Sequence, residues 1–255
     1  MLNEPVISSM KYLTLLLILL LTGFSKILVA GPPYDTDDPE PVELHHWEFY
    51  CSSLGFNADG ILSCTAPHIE INNGPIRNVQ LHVIFPLVYN SVQDGKTNYG
   101  PGDIELGMKY RFIQEDTNSW VPQVGTFPLV EVPTGNTDKG LGYGSYQFYI
   151  PVWIQKTIGK WTTYGGGGYW INEGTGNKNS GFIGWMAQYQ FIKQVSVGAE
   201  LYYVTANQVG GENEFDFNIG SVIDFTEHHH LLISAGRSIT GSTAFQWYFG
   251  YQLTI

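Results

Sequence analysis

The feature that most constrains this chain is the alternation in Thr243 to Ile255, TAFQWYFGYQLTI. Phe245, Trp247, Phe249, Tyr251, Leu253 and Ile255 take every odd position, while the even ones carry Ala244, Gln246, Tyr248, Gly250, Gln252 and Thr254. Successive strand side chains point to opposite faces, so this is a strand with one apolar face and one mostly small or polar face. A soluble sandwich or lipocalin-like barrel could use such a strand. A strand of this kind at the end of a chain is also what closes a transmembrane β-barrel.

The same period runs through the chain. DIELGMKYRF sets Ile104, Leu106, Met108, Tyr110 and Phe112 on one face, and Glu105, Gly107, Lys109 and Arg111 on the other. VQLHVIFPLVY repeats the pattern from Val79 to Tyr89, with Gln80 and His82 on the polar face. Trp47 and Phe49 alternate with His46 and Glu48, and Ile69 and Ile71 with His68, Glu70 and Asn72. Val124–Val132, Tyr146–Lys156, Trp161–Ile171, Phe182–Phe191, Val195–Val204, Glu214–Phe225 and His230–Gly236 complete about twelve segments of about ten residues. Gly and aromatic content is high, and no apolar run after residue 30 approaches the ~20 residues of a membrane helix.

The connections favour a membrane. NNGP, TIGK, IKQ and TEHH read as short turns. Between them lie the longer Gly- and Asn-rich SVQDGKTNYGPG, PTGNTDKGLGYGS, NEGTGNKNS and NQVGGENE, while QEDTNS is a slightly long turn on the short side. Outer-membrane barrels sort short turns to the periplasm and long loops outward, whereas a soluble sandwich has no reason to. The fold class expected is therefore all-β: an antiparallel up-and-down transmembrane barrel of about twelve strands over residues 44–255.

Residues 1–30 read as a secretory signal peptide: Lys11, the run Leu13 to Leu21, and Ala30 before the cut, with Met10 a better start than Met1. Residues 31–43, GPPYDTDDPEPVE, cannot form a central strand. Four prolines and five carboxylates make an extended periplasmic lead-in or a plug in the barrel mouth. The spacing of Asp35 and Asp37 lacks the glycine and closing Glu of a calcium loop. Cys51 lies in the outward phase and Cys64 in the polar one, so a disulfide would need a bulge.

Phase assigns nine lumen-lining side chains: Glu48, Glu70, His82, Glu105, Lys109, Arg111, Glu131, Glu200 and Asp216. A lysine or arginine facing lipid near the midplane costs roughly 2–4 kcal/mol, which turns Lys109 and Arg111 inward. Six carboxylates against two fixed cations make the lumen net negative, favouring cations and polar neutral solutes. The formal charge of −11 argues against nucleic acid as a partner. The partners expected are outer-membrane lipids, a small-molecule solute and, through the closing strand, the barrel-assembly machinery.

No catalytic residue, metal ligand or cofactor is assigned. His228, His229 and His230 are adjacent on a turn, where they cannot all face one ion. The glycines of TYGGGGYW are flanked by strand and precede no helix, so it is no phosphate cradle. A lipid-modifying membrane enzyme would need a hydroxyl beside a base. Ser91, Ser145, Ser180 and Ser242 have no histidine alongside.

The stretches GPPYDTDDPEPVELHHWEFY, GDIELGMKYRF, FPLVEVPTGN, WTTYGGGGYWIN, AELYYVTANQVGG and EHHHLLISAGR resemble the meta-pathway phenol-degradation family of bacterial outer-membrane barrels. The resemblance implies uptake of a small compound, aromatic or neutral and hydrophobic, and supplies no catalytic residue to carry over. A non-conducting structural barrel is the alternative. Ile255 stands where barrels of this kind end in Phe or Trp.

Overall fold

The computed structural model describes residues 32–58, 61–91, 97–241 and 245–255. The expected signal peptide and Ser242 lie outside the described residues. Fourteen strand segments form one antiparallel sheet. They are β1 (Trp47–Ala58), β2 (Ile61–Ile76), β3 (Val79–Ser91), β4 (Thr97–Pro101), β5 (Ile104–Ile113), β6 (Gln123–Thr126) and β7 (Leu129–Val132). Then follow β8 (Gln147–Ile158), β9 (Trp161–Asn172), β10 (Ser180–Ile192), β11 (Val195–Val204), β12 (Glu214–Asp224), β13 (His229–Thr240) and β14 (Phe245–Thr254).

β4 and β5 lie end to end beside β3, and β6 and β7 lie end to end beside β8, so the wall has twelve staves. β14 pairs with β1 from Glu48↔Thr254 to Asn57↔Phe245, which closes the barrel and leaves no long edge.

Two segments differ from the sequence reading. Thr97–Pro101, expected in a loop, is a strand extending the wall beyond β5. Val124–Val132 is broken at Phe127–Pro128, where proline has no N–H for the ladder. The NNGP turn is also displaced. Asn72 to Pro75 lie within β2, and the reversal falls at Arg77–Asn78, where Asn78 has φ of 65°.

Strand alternation sorts the two faces. Along β8, Gln147, Tyr149, Trp153 and Gln155 are buried, while Phe148, Ile150 and Val152 are exposed. Leu81, Phe85, Leu106, Met108, Tyr110, Phe112, Leu201 and Phe249 form an outer apolar surface that water would leave unfavourably exposed and a bilayer covers. Trp120 and Trp161 sit at the short-turn end, where an interfacial girdle belongs.

Candidate functional site: the barrel interior

Residues 32–43 cross the interior. At the short-turn end His45 N–H donates to the Gly74 carbonyl, and Gly74 N–H to His46. From there Val42 N–H donates to Gln80 on β3, Glu40 faces β5 and β8, and Asp37 meets Lys109 on β5. Further on, Asp35 and Thr36 bond Glu200 on β11, and the Pro33 carbonyl accepts from Ser234 on β13. Contacts with so many staves are possible only for a segment inside the barrel.

Inward glycines form its seat. A Cβ on Gly184 would stand 2.2 Å from Thr36 Oγ1, and one on Gly198 2.7 Å from the Tyr34 hydroxyl. Only a bare backbone permits that approach.

The nine residues assigned inward by phase fall into two groups. Glu70, His82 and Glu105 form a chain: His82 Nδ1 faces Asn72 Oδ1 at 2.6 Å, His82 Nε2 faces Glu105 Oε1 at 2.9 Å, and Asn72 donates to Glu70 at 2.8 Å. Glu48 accepts from the Tyr50 hydroxyl at 2.7 Å, and Glu131 lies opposite Glu105 in register. The Lys109 ammonium is 3.0 Å from Asp37 and 3.6 Å from Asp38, and 5.0 Å from the centre of the Phe127 ring. Arg111 donates to Asn78 through Nε and Nη2 and to Gln123 through Nη1, with Glu40 at 3.7 Å.

Glu200 and Asp216 lie apart, on β11 and β12. Glu200 accepts from Asn218 at 2.6 Å, and Asn218 donates also to Asp35 at 2.8 Å. The lead-in carboxylates carry a burial cost. Burial pushes Asp38 well above the usual carboxylate range against the opposing pull of Lys109, and pushes Glu40 upward against Arg111. Asp35 is likewise raised by burial, with Asn218 opposing.

The sequence reading missed an aromatic wall facing the acidic one. Tyr149 stacks on Trp170 with centroids 4.6 Å apart, Phe182 stacks on Tyr202 at 5.5 Å, and Trp153 meets Phe182 edge-on at 6.0 Å. Phe127 joins Tyr149 and Trp153 in one buried cluster. Opposite, a cavity of about 220 Å³ remains between the lead-in and β1, β2, β3 and β5, lined by Glu48, Glu70, His82, Glu105, Lys109 and Phe127.

Other candidates disperse. His228 bonds the Thr254 carbonyl, His229 the Tyr251 hydroxyl and His230 Asp224, so the three rings diverge. Both cysteines are free, Cys51 opposite Ile69 and Cys64 opposite Gly55. The Ser91 and Ser145 hydroxyls donate to backbone carbonyls.

The family model described as "Putative MetA-pathway of phenol degradation" matches residues 70–254. The chain belongs to that family. An outer membrane channel from Pseudomonas putida F1 is similar in structure, with TM-score 0.70, 16% identity, and coverage of 87% of this chain and 100% of that one. KdgM porin in complex with disordered oligogalacturonate matches at TM-score 0.55 and 8% identity, over 81% of this chain and 98% of that one. The translocator domain of autotransporter NalP from Neisseria meningitidis matches at 0.54 and 9%, over 82% and 87%. No curated protein sequence matches this one significantly. These likenesses share the barrel fold, and together with the apolar outer surface they place this family member in an outer membrane.

Proposed function

We propose that this barrel is an outer-membrane channel for small solutes, narrowed by residues 32–43. The reading rests above all on the two-sided interior. An acidic wall with a few fixed cations faces a wall of stacked aromatic rings, and the segment between them is held by hydrogen bonds to side chains. Acidic groups raise the local concentration of cations and tolerate polar neutral solutes. Aromatic faces offer stacking area to an aromatic or neutral hydrophobic solute.

The extended, proline-stiffened lead-in restricts the short-turn end, which is periplasmic in barrels of this type. Deleting residues 32–43 from the mature chain is expected to raise single-channel conductance in planar bilayers. Unchanged conductance after deletion would reduce the segment to a linker. Absence of conductance in both proteins would favour the structural barrel, since the same interior contacts also serve to fill the wall.

A further inference from the structure

Beneath the lead-in, at the short-turn end, a second cavity of about 680 Å³ opens between β5, β6, β8 and the 114–122 turn. This is within the usual range for small-molecule pockets. Its polar groups divide sharply. Lys156 is fully engaged by Glu115 at 3.0 Å and the carbonyls of Asp116 and Val121. Arg111 is not: its donors are held by the neutral oxygens of Asn78 and Gln123, and its nearest carboxylate oxygen, on Glu40, is at 3.7 Å. The guanidinium is thus fixed in place while its charge is loosely balanced.

Two amides complete the surroundings. Gln155 donates from Nε2 to Glu40 at 3.1 Å. Gln123, 3% exposed, turns its oxygen to Arg111, and its buried Nε2 donor makes no close hydrogen bond, as is also true of the Gln155 oxygen opposite it. Gln123 and Gln155 face each other in register across β6 and β8. A guanidinium and two amide donors converge on a spot that Glu40 fills imperfectly. A buried donor left unpaired is costly, and a carboxylate is the group whose two oxygens satisfy such a set.

We propose that Arg111, Gln123 and Gln155 form a carboxylate-binding site at the periplasmic mouth, which Glu40 occupies at rest and a small carboxylate entering from the periplasm can take over. Glu40 is the exchangeable occupant because it reaches this cavity, with its side chain 33% exposed. The other lead-in ion pairs meet Lys109, whose side chain is 3% exposed. Exposed Trp120 lines the same cavity and offers a ring face to an aromatic acid. Binding depends on this seat alone; only its consequence, a loosened lead-in, rests on the channel reading.

The test is equilibrium dialysis of labelled benzoate against the mature full-length barrel in detergent micelles, folding being checked by heat-shifted gel mobility. Glu40→Gln removes the competing carboxylate and is expected to tighten benzoate binding about tenfold, equivalent to about 1.4 kcal/mol. Arg111→Gln should abolish binding, and Gln123→Leu, for use if that variant misfolds, should weaken it several-fold. Benzyl alcohol should not compete. Equal affinity in the parent and Glu40→Gln, or benzoate retained by Arg111→Gln, would overturn the site. No flux is measured, so this failure is separate from failure of the channel.

Discussion

Glu200 on β11 accepts the backbone N–H of Thr36 at 2.8 Å, across 164 residues of sequence. Its other oxygen accepts Asp35 N–H at 2.9 Å, so one carboxylate satisfies two amides of a segment that has no strand partner. Bonds to a charged acceptor contribute about 1.5–3 kcal/mol each. Glu200→Leu therefore removes the principal backbone anchor of the lead-in. The expected result is cleavage within residues 32–43 by added protease at least tenfold faster than in the parent, with the barrel itself resistant. Equal cleavage rates would mean that the remaining hydrogen bonds and ion pairs hold the lead-in without Glu200.

Lys109 balances Asp37 and Asp38 in the barrel interior. Lys109→Glu removes that cation and sets a third carboxylate against the first two, so the lead-in is repelled and the lumen becomes more negative. Conductance should rise, and reversal potentials under a salt gradient should move further toward cation selectivity. Anion selectivity in the parent protein would refute the charge assignment of the lumen.

These residues illustrate how much of the fold and site the sequence carried. Along β5 the apolar and charged phases are separate, so the strand from Ile104 to Phe112 and its two faces were legible, with Lys109 and Arg111 on the less exposed one. Along β8 both phases are apolar: Phe148, Ile150 and Val152 point out, while Tyr149 and Trp153 point in. Alternation alone cannot tell those faces apart, and the aromatic wall was missed. The available signal was amphipathic, since inward Tyr149 and Trp153 share their phase with Gln147 and Gln155. Thr97–Pro101 was concealed by its Gly, Pro and Asn content, which reads as loop until β3 supplies a partner. That lead-in carboxylates meet Lys109 and Arg111 follows from the inward phase of those two cations, but which carboxylate takes which cation leaves no local pattern.

Gly166 tests the tight packing behind the aromatic wall. It has φ of 152°, which a residue with a Cβ rarely adopts, and a Cβ there would lie 2.1 Å from the Val152 carbonyl oxygen and 2.9 Å from the Trp153 ring. Gly166→Ala must shift β8 away from β9 or move Trp153. A cost of about 1–3 kcal/mol is expected for such overpacking. Stability of the folded barrel, read as the temperature at which its heat-shifted gel band is lost, should fall by several degrees. An unchanged transition temperature would show that the wall yields at this point.

Acidity should tighten the lead-in. Burial raises Asp35, Asp38 and Glu40 in the docked segment, despite the opposing hydrogen bonds from Asn218 and Tyr202 to Asp35, and the charges of Lys109 and Arg111 near Asp38 and Glu40. Released into water, the same carboxyls return to about 4. The docked state therefore binds protons more strongly, so docking strengthens as pH falls through the raised values toward 4 and weakens above them. Single-channel conductance should accordingly be lower near pH 5 than near pH 8, and the difference should vanish in a barrel lacking residues 32–43. Conductance that instead rises on acidification, with the lead-in intact, would mean that losing the Lys109 and Arg111 attractions outweighs the relief of burying charge.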